Sequence, residues 1–275
     1  KNLTIGSASG LSGISTANDN DLTLTVQNGA LSIGDGTGAD SLTAGNGTVD
    51  ISASGVSLAG TSIIDAARLR LRGAGAFALG ANANAVDILA ADVNGPLDFT
   101  DGDALAIGSV LGTDGIRTGS APGNGGAVTV NAGGLLAVDQ PVDTSGGSGG
   151  KLTVGRGVTL NAALTLGAGN IALNGGGAEL DVLINAAQTL AGDAEITAQR
   201  DILIRAKVET TGAGNITLTA GTAGAGVGAG GVWVDDNGAF SGELDSAGTL
   251  AISGKDLFAT ASPADTDAIR LDGLV

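Results

Sequence analysis

The sequence predicts an all-β chain wound as a parallel β-solenoid of about 12–14 turns, at roughly 20 residues per turn, with no large helical layer. Three observations predict it. Apolar–small–apolar triplets recur throughout, and alternation with period two marks a strand with one buried face. From Val49 to Ile171 these triplets start at 49, 69, 86, 105, 128, 152 and 171, a self-similar spacing near 20 residues. Composition agrees: 50 of 275 residues are Gly, and hydrophobic residues reach 43% with aromatics only 2%. A core without large rings must be built from Val, Ile, Leu and Ala, which pack well when similar layers repeat.

The elements follow in order. Asn2-Leu3-Thr4-Ile5 opens as a strand, and Leu22-Thr23-Leu24, Val49-Asp50-Ile51 and Leu69-Arg70-Leu71 continue the alternation. Ile64–Leu71 offers the best helical stretch, but Arg68-Leu69-Arg70-Leu71-Arg72 alternates and reads as a strand. Val86-Asp87-Ile88, Leu105-Ala106-Ile107, Val128-Thr129-Val130, Leu152-Thr153-Val154 and Ile171-Ala172-Leu173 repeat it, as do Ile216-Thr217-Leu218 and Leu250-Ala251-Ile252. Ile269-Arg270-Leu271-Asp272 closes the chain as a strand. Turn pairs such as Asn28-Gly29, Asp35-Gly36, Asn46-Gly47 and Asp101-Gly102 suit corners that need positive φ. The strands run three to five residues, short for an antiparallel sandwich or barrel and right for a solenoid rung. At about 4.8 Å per turn the rod is roughly 60 Å long. Inward positions Leu24, Ile51, Leu71, Ile88, Ile107, Val130, Val154, Leu173 and Leu218 are expected to form aliphatic columns.

No linker divides the chain. The Gly/Ser-rich stretch at 144–150 is followed at once by Leu152-Thr153-Val154, so it reads as a wide corner and residues 1–275 as one solenoid. Both ends lie inside the repeat pattern, and the chain has no Met and no secretion leader. The expectation is a segment of a longer protein, or a subunit that stacks end to end.

The net charge is −16 and the pI about 4.1. An acidic surface argues against nucleic acid and against attraction to anionic membranes. The uncharged run at 210–234 is rich in Gly and Thr and alternates like strands, so no membrane insertion is expected. There is no Cys and no His. The commonest general base and metal ligand is therefore missing, and no cofactor or metal is expected.

Several segments share a repeat grammar: Ala194-Glu195-Ile196-Thr197-Ala198-Gln199-Arg200-Asp201-Ile202-Leu203-Ile204, Gly214-Asn215-Ile216-Thr217-Leu218-Thr219-Ala220-Gly221, and Ala127–Gly134 followed by Leu136–Val142. These resemble the repeats of filamentous-haemagglutinin-like bacterial exoproteins over most of the chain. The resemblance implies a right-handed parallel β-helix, secretion across a bacterial outer membrane, and a role in adhesion or biofilm. The N-terminal secretion domain of that family carries Asn-Pro-Asn motifs. This chain has none, so it corresponds to the shaft.

The chemistry-bearing motifs are few. Gly226-Val227-Gly228-Ala229-Gly230-Gly231 matches G-x-G-x-x-G, but a strand follows where a dinucleotide fold needs a helix, so it reads as a glycine-rich corner. Gly36-Thr37-Gly38-Ala39-Asp40-Ser41-Leu42 matches the core of a calcium-binding nonapeptide, which works only in tandem and occurs once. Asp98, Asp101 and Asp103 form a candidate carboxylate group for polysaccharide cleavage, with neither Lys151 nor Lys207 in register beside them. Solvated corner acids are the plainer account. Arg68, Arg70 and Arg72 share one strand face and could meet an anionic glycan. Pairing with Asp on a neighbouring turn, such as Arg70 over Asp87, is the commoner fate of such residues. Arg205 and Lys207 make a second such pair. Trp233, the single Trp, either fills a wide turn or stacks on a sugar ring.

The reading reached is a non-enzymatic extracellular shaft on a bacterial cell surface, with no catalytic residue. Its partner is a host or bacterial surface glycan or protein, or another copy, and Arg68, Arg70, Arg72 and Trp233 are the candidate contacts. The alternatives are a self-assembling filament or surface-layer subunit, and a polysaccharide-degrading β-helix enzyme.

Overall fold

A three-residue apolar–polar–apolar segment buries two side chains on one side, and its backbone groups need partners on both edges. In this chain the partners are the equivalent segments one repeat away. The computed structural model describes residues 1–9, 11–119, 125–144, 152–154, 157–165, 171–175, 181–221, 230–235, 241–254, 256–260 and 269–271. All its regular elements there are β-strands.

The longest ladder, the first face, has eleven parallel strands. It runs from Leu3–Ile5 through Leu31–Ile33, Val56–Leu58, the start of Phe77–Val93, Leu97–Asp101, Val128–Ala132, Leu152–Val154, Ile171–Gly175, Ala194–Ala198 and Ile216–Thr219 to Leu250–Ser253. Its register stacks Leu31, Val56, Phe77, Leu97, Val128, Leu152, Ile171, Ala194, Ile216 and Leu250 on one another. A second column in register runs through Leu79, Phe99, Val130, position 154, Leu173, Ile196, Leu218 and Ile252.

From Leu97 onward each layer adds two more strands. The second face carries Leu105–Ile107, Leu136–Val138, Val158–Leu160, Val182–Ile184, Ile202–Ile204, Gly231–Asp235 and Asp256–Thr260. The third carries Ile116–Thr118, Val142–Asp143 and Leu164–Thr165, then Gln188–Leu190, Lys207–Thr210, Glu243–Ser246 and Ile269–Leu271. Earlier layers run through the corners as long strands, Leu42–Ser52, Ile64–Gly73 and Phe77–Val93. Continuous pairing joins 25 strands in one sheet. All-β character and long, in-register parallel ladders are what a β-solenoid requires.

The repeat differs from the sequence reading in three ways. The first face has eleven layers among the described residues, against the 12–14 turns expected. The triplets at 49 and 69 run from the second face into the third, since Leu69 stacks through Leu89 on Ile107 and Leu71 through Ala91 on Ile116; the triplet at 105 lies on the second face, and those at 128, 152 and 171 on the first. The step from Leu105 to Val128 is thus not one layer; Leu105 sits on Leu136. Finally, Ile88 does not point inward. Val86 pairs with Ala66 and Ile88 with Arg68 in one constant register, and both strands turn a corner there: burial passes from Val86 to Leu89 as it does from Ala66 to Leu69, so Leu89 fills the column between Leu69 and Ile107. Leu89 is fully buried.

Gly73 shows how tightly layers approach. Its φ is +151°, and a Cβ there would lie 1.7 Å from the Ala53 carbonyl and 3.3 Å from the Phe77 ring. Two short antiparallel hairpins, Ser7–Ala8 with Leu11–Ser12 and Ser109–Val110 with Thr113–Asp114, leave the corners without interrupting the ladders.

Candidate functional site

The outward positions carry whatever chemistry the molecule has. Thr48, Asp50 and Ser52 lie one layer below Arg68, Arg70 and Arg72, because the two strands pair in register. Asp50 accepts both arms of Arg70, Nη2 to Oδ2 at 2.6 Å and Nε to Oδ1 at 2.9 Å, and Arg72 Nη2 lies 3.1 Å from Oδ2. The Asp50 side chain is only 7% exposed and that of Arg70 15%. Burial pushes the Asp50 carboxyl up, but the Arg70 hydrogen bond and the charges of Arg72 and Arg70 outweigh it, and its pKa is lowered. Arg70 also donates to the Leu111 carbonyl at 2.8 Å, tying down the second hairpin, and Arg68 Nε donates to Thr48 at 3.2 Å. Arg70 is thus held within the protein, while Arg68 stays exposed and the Arg72 side chain 41% exposed. The partner is Asp50 rather than Asp87: Arg70 lies in register with Asp50 on one side and with Ala90 on the other.

The acidic trio is split. Asp98 is exposed on the first face, between Ala78 and Thr129. Asp101 is 2% exposed inside a corner, where Oδ2 accepts the Val86 N–H at 2.9 Å and Oδ1 the Asp103 N–H at 3.0 Å. Burial raises the Asp101 pKa, the two N–H groups oppose this, and the charges of Asp103 and Asp87 add to the rise. Beside it opens a cleft of about 250 Å³ lined by Asn46, Asp65, Asp87, Asp101 and Asp103. Sequence reading did not place Asp65 or Asp87 beside Asp101. Their recurrence about one repeat apart was the available signal. Acid–base cleavage needs a carboxyl free to exchange its proton with a substrate. Both Asp101 oxygens are spent on backbone donors, so its visible work is to close the ladder at a corner.

Asn84 does the same one layer below, in register with Asp101. Its Oδ1 accepts the Ile64 N–H at 2.8 Å, and its Nδ2 donates to the Leu79 and Thr100 carbonyls.

The calcium-like segment is also internally satisfied. Asp40 is fully buried and accepts from the Ser7 hydroxyl at 2.5 Å; Asp35 accepts the Thr37 N–H at 2.9 Å. Among the described residues no group of three or more His, Cys, Asp or Glu is placed to hold a metal. No helix there is long and apolar enough to cross a membrane. The G-x-G-x-x-G stretch, apart from Gly230 and Gly231, lies outside the described residues, as does Lys151.

Lys207 sits among Asp245 at 2.7 Å, Glu209 at 3.3 Å and Glu243 at 3.9 Å. The Asp245 hydrogen bond leads in raising its pKa, against a desolvation effect in the other direction. Trp233 stands at the outward position of Gly231–Asp235, 41% exposed, with Leu203 below it in register.

No protein-family model matches this chain, and no curated protein or solved structure matches it either.

Proposed function

We propose that the chain is a right-handed parallel β-helix that forms the non-enzymatic extracellular shaft of a bacterial surface exoprotein. The observation that carries this reading is the pair of apolar columns stacked through the first-face ladder, from Leu31 to Leu250 and from Leu79 to Ile252. Such a sequence invests in length. The outward positions of the same ladder include Ser32, Ser57, Ala78, Asp98, Thr129, Ala172, Glu195, Thr217 and Ala251, small or singly charged residues. The acidity favours solubility and suits an exposed surface. Partners of such a shaft are a host or bacterial surface glycan or protein, or another copy of the chain. The likeness of its repeat grammar to filamentous-haemagglutinin-like exoproteins supports the same reading.

The test is where the chain resides. An antibody raised against the folded chain should label intact cells of the source organism and lose that label after surface proteolysis. Labelling that requires permeabilised cells overturns the proposal.

A further inference from the structure

Leu183, Leu203 and Trp233 occupy one outward register position in three consecutive layers of the second face. Earlier layers hold Ala106, Ala137 and Thr159 there. The column thus changes from small to large apolar side chains along the ladder. Core packing does not require this, because the inward work of these strands is done by Val182, Ile184, Ile202, Ile204, Val232 and Val234, each at most 1% exposed. Leu183 and Leu203 are half-buried, and Trp233 is 41% exposed. Phe77 and Phe99, by contrast, are fully buried. The indole stands on the outward side of its strand, between the buried Val232 and Val234, and not in the inward columns.

The strip is one side chain wide and at least three layers long. A stable protein–protein contact needs about 800 Å² from each partner, more than a single file of three side chains supplies. A narrow strip running along the ladder suits one extended chain with flat apolar faces and hydroxyl edges. That is the chemistry of a polysaccharide, whose ring C–H face packs on an indole while its hydroxyls meet polar groups. Those groups flank the strip. Arg200 bridges Asp181 at 2.6 Å and Asp201 at 3.4 Å before the strands, and Asn185 is exposed after one of them. With a net charge of −16 the molecule repels polyanions. We infer that Trp233, with Leu203 and Leu183, forms a platform that binds a neutral polysaccharide lying along the ladder. The inference deepens the shaft reading, and rests on it only for the idea that the partner is a surface glycan.

The chain has one Trp and no Tyr, so its intrinsic fluorescence reports this one position. The whole chain is titrated with hexasaccharides of β-1,4-linked glucose and of β-1,4-linked N-acetylglucosamine, with heparin as the anionic comparison. A saturable change in Trp emission with at least one neutral hexasaccharide, and none with heparin, is expected. In calorimetric titrations Trp233→Ala should weaken binding by about tenfold or more, Leu203→Ala less, and Trp233→Phe least, with unchanged melting curves. No response to either neutral hexasaccharide overturns the platform, as does equal binding by Trp233→Ala or a preference for heparin. Self-association that Trp233→Ala abolishes also overturns it, because the occupant is then a second copy. None of these outcomes bears on cell-surface labelling, so the platform and the shaft fail separately.

Discussion

Asp50 is the residue on which the Arg70 and Arg72 side chains converge. Removing it leaves two guanidinium groups without their carboxylate, one of them mostly buried. Asp50→Ala is expected to cost about 3 kcal/mol, since breaking a buried pair strands the surviving charge. Arg68→Ala removes one hydrogen bond to Thr48 and should cost under about 1.5 kcal/mol. Denaturant melts of the two variants check the order. The pH dependence has a definite sign. The folded Asp50 pKa lies below its unfolded value of about 3.9, so its contribution is full above that value and is lost as pH falls through the folded pKa. The gap in stability between wild type and Asp50→Ala should therefore shrink only below about pH 4. Asp101 works in the opposite sense: its raised pKa means that ionisation costs stability as pH rises through the window above the unfolded value. Lys207 has a raised pKa, so what its carboxylate partners contribute is full below about pH 10.4 and disappears as pH rises through the folded value. A pattern reading can rank Asp50 as an outward acid. It cannot see that Arg72, in register with Ser52, also reaches the Asp50 carboxylate.

At the scale of the strand, inward and outward positions behave differently. Leu173, 1% exposed, lies between Val154 and Ile196 in its column. Leu173→Asp buries an unpaired carboxylate and should cost several kcal/mol, about 3 or more. Thr217 is outward and pairs in register with Glu195, so Thr217→Asp faces a like charge and Thr217→Lys an opposite one. Thr217→Lys should change stability by less than about 0.5 kcal/mol. Thermal melts that destabilise both variants equally contradict the assignment. Gln188 gives a sharper case. It is 1% exposed in a third-face column that continues as Val208 and Leu244, so hydrophobic pattern alone recommends Leu. Yet its Oε1 accepts the Leu164 N–H at 2.8 Å and its Nε2 donates to the Ala186 carbonyl at 2.7 Å. Gln188→Leu orphans these groups and should destabilise by about 2 kcal/mol despite the added apolar surface. A neutral or stabilising result in a denaturant melt refutes this account. At an exposed corner, Asn161 donates to Asp139 and Asn185 to Asn161, each at 2.8 Å, a side-chain ladder that runs parallel to the backbone one.

For the whole molecule, stability is a sum of layers and nearest-neighbour contacts. Deleting residues 194–215 removes one full layer and brings Ile216 to where Ala194 stood, against Ile171. The shortened chain should fold, with its rod shorter by about 4.8 Å. A deletion of half that length should not, because it carries a strand to the wrong face. Small-angle scattering and circular dichroism separate the two outcomes. If both deletions behave alike, the layers are not independent units. The sequence by itself determined the class of the fold. Period-two triplets at a spacing near 20 residues, built from Val, Ile, Leu and Ala, can bury their apolar sides only by stacking on copies of themselves. It also predicted that Arg70 would meet a carboxylate on a neighbouring layer. Tertiary structure decided which strands share a face, why Leu89 and not Ile88 turns inward, that Arg70 meets Asp50, and that Asp65 and Asp87 line a cleft with Asp101. The physical reason is that corners and bulges absorb a variable number of residues. Alternation fixes the face of a side chain within one strand, while the partner one layer away depends on the length of every loop between them.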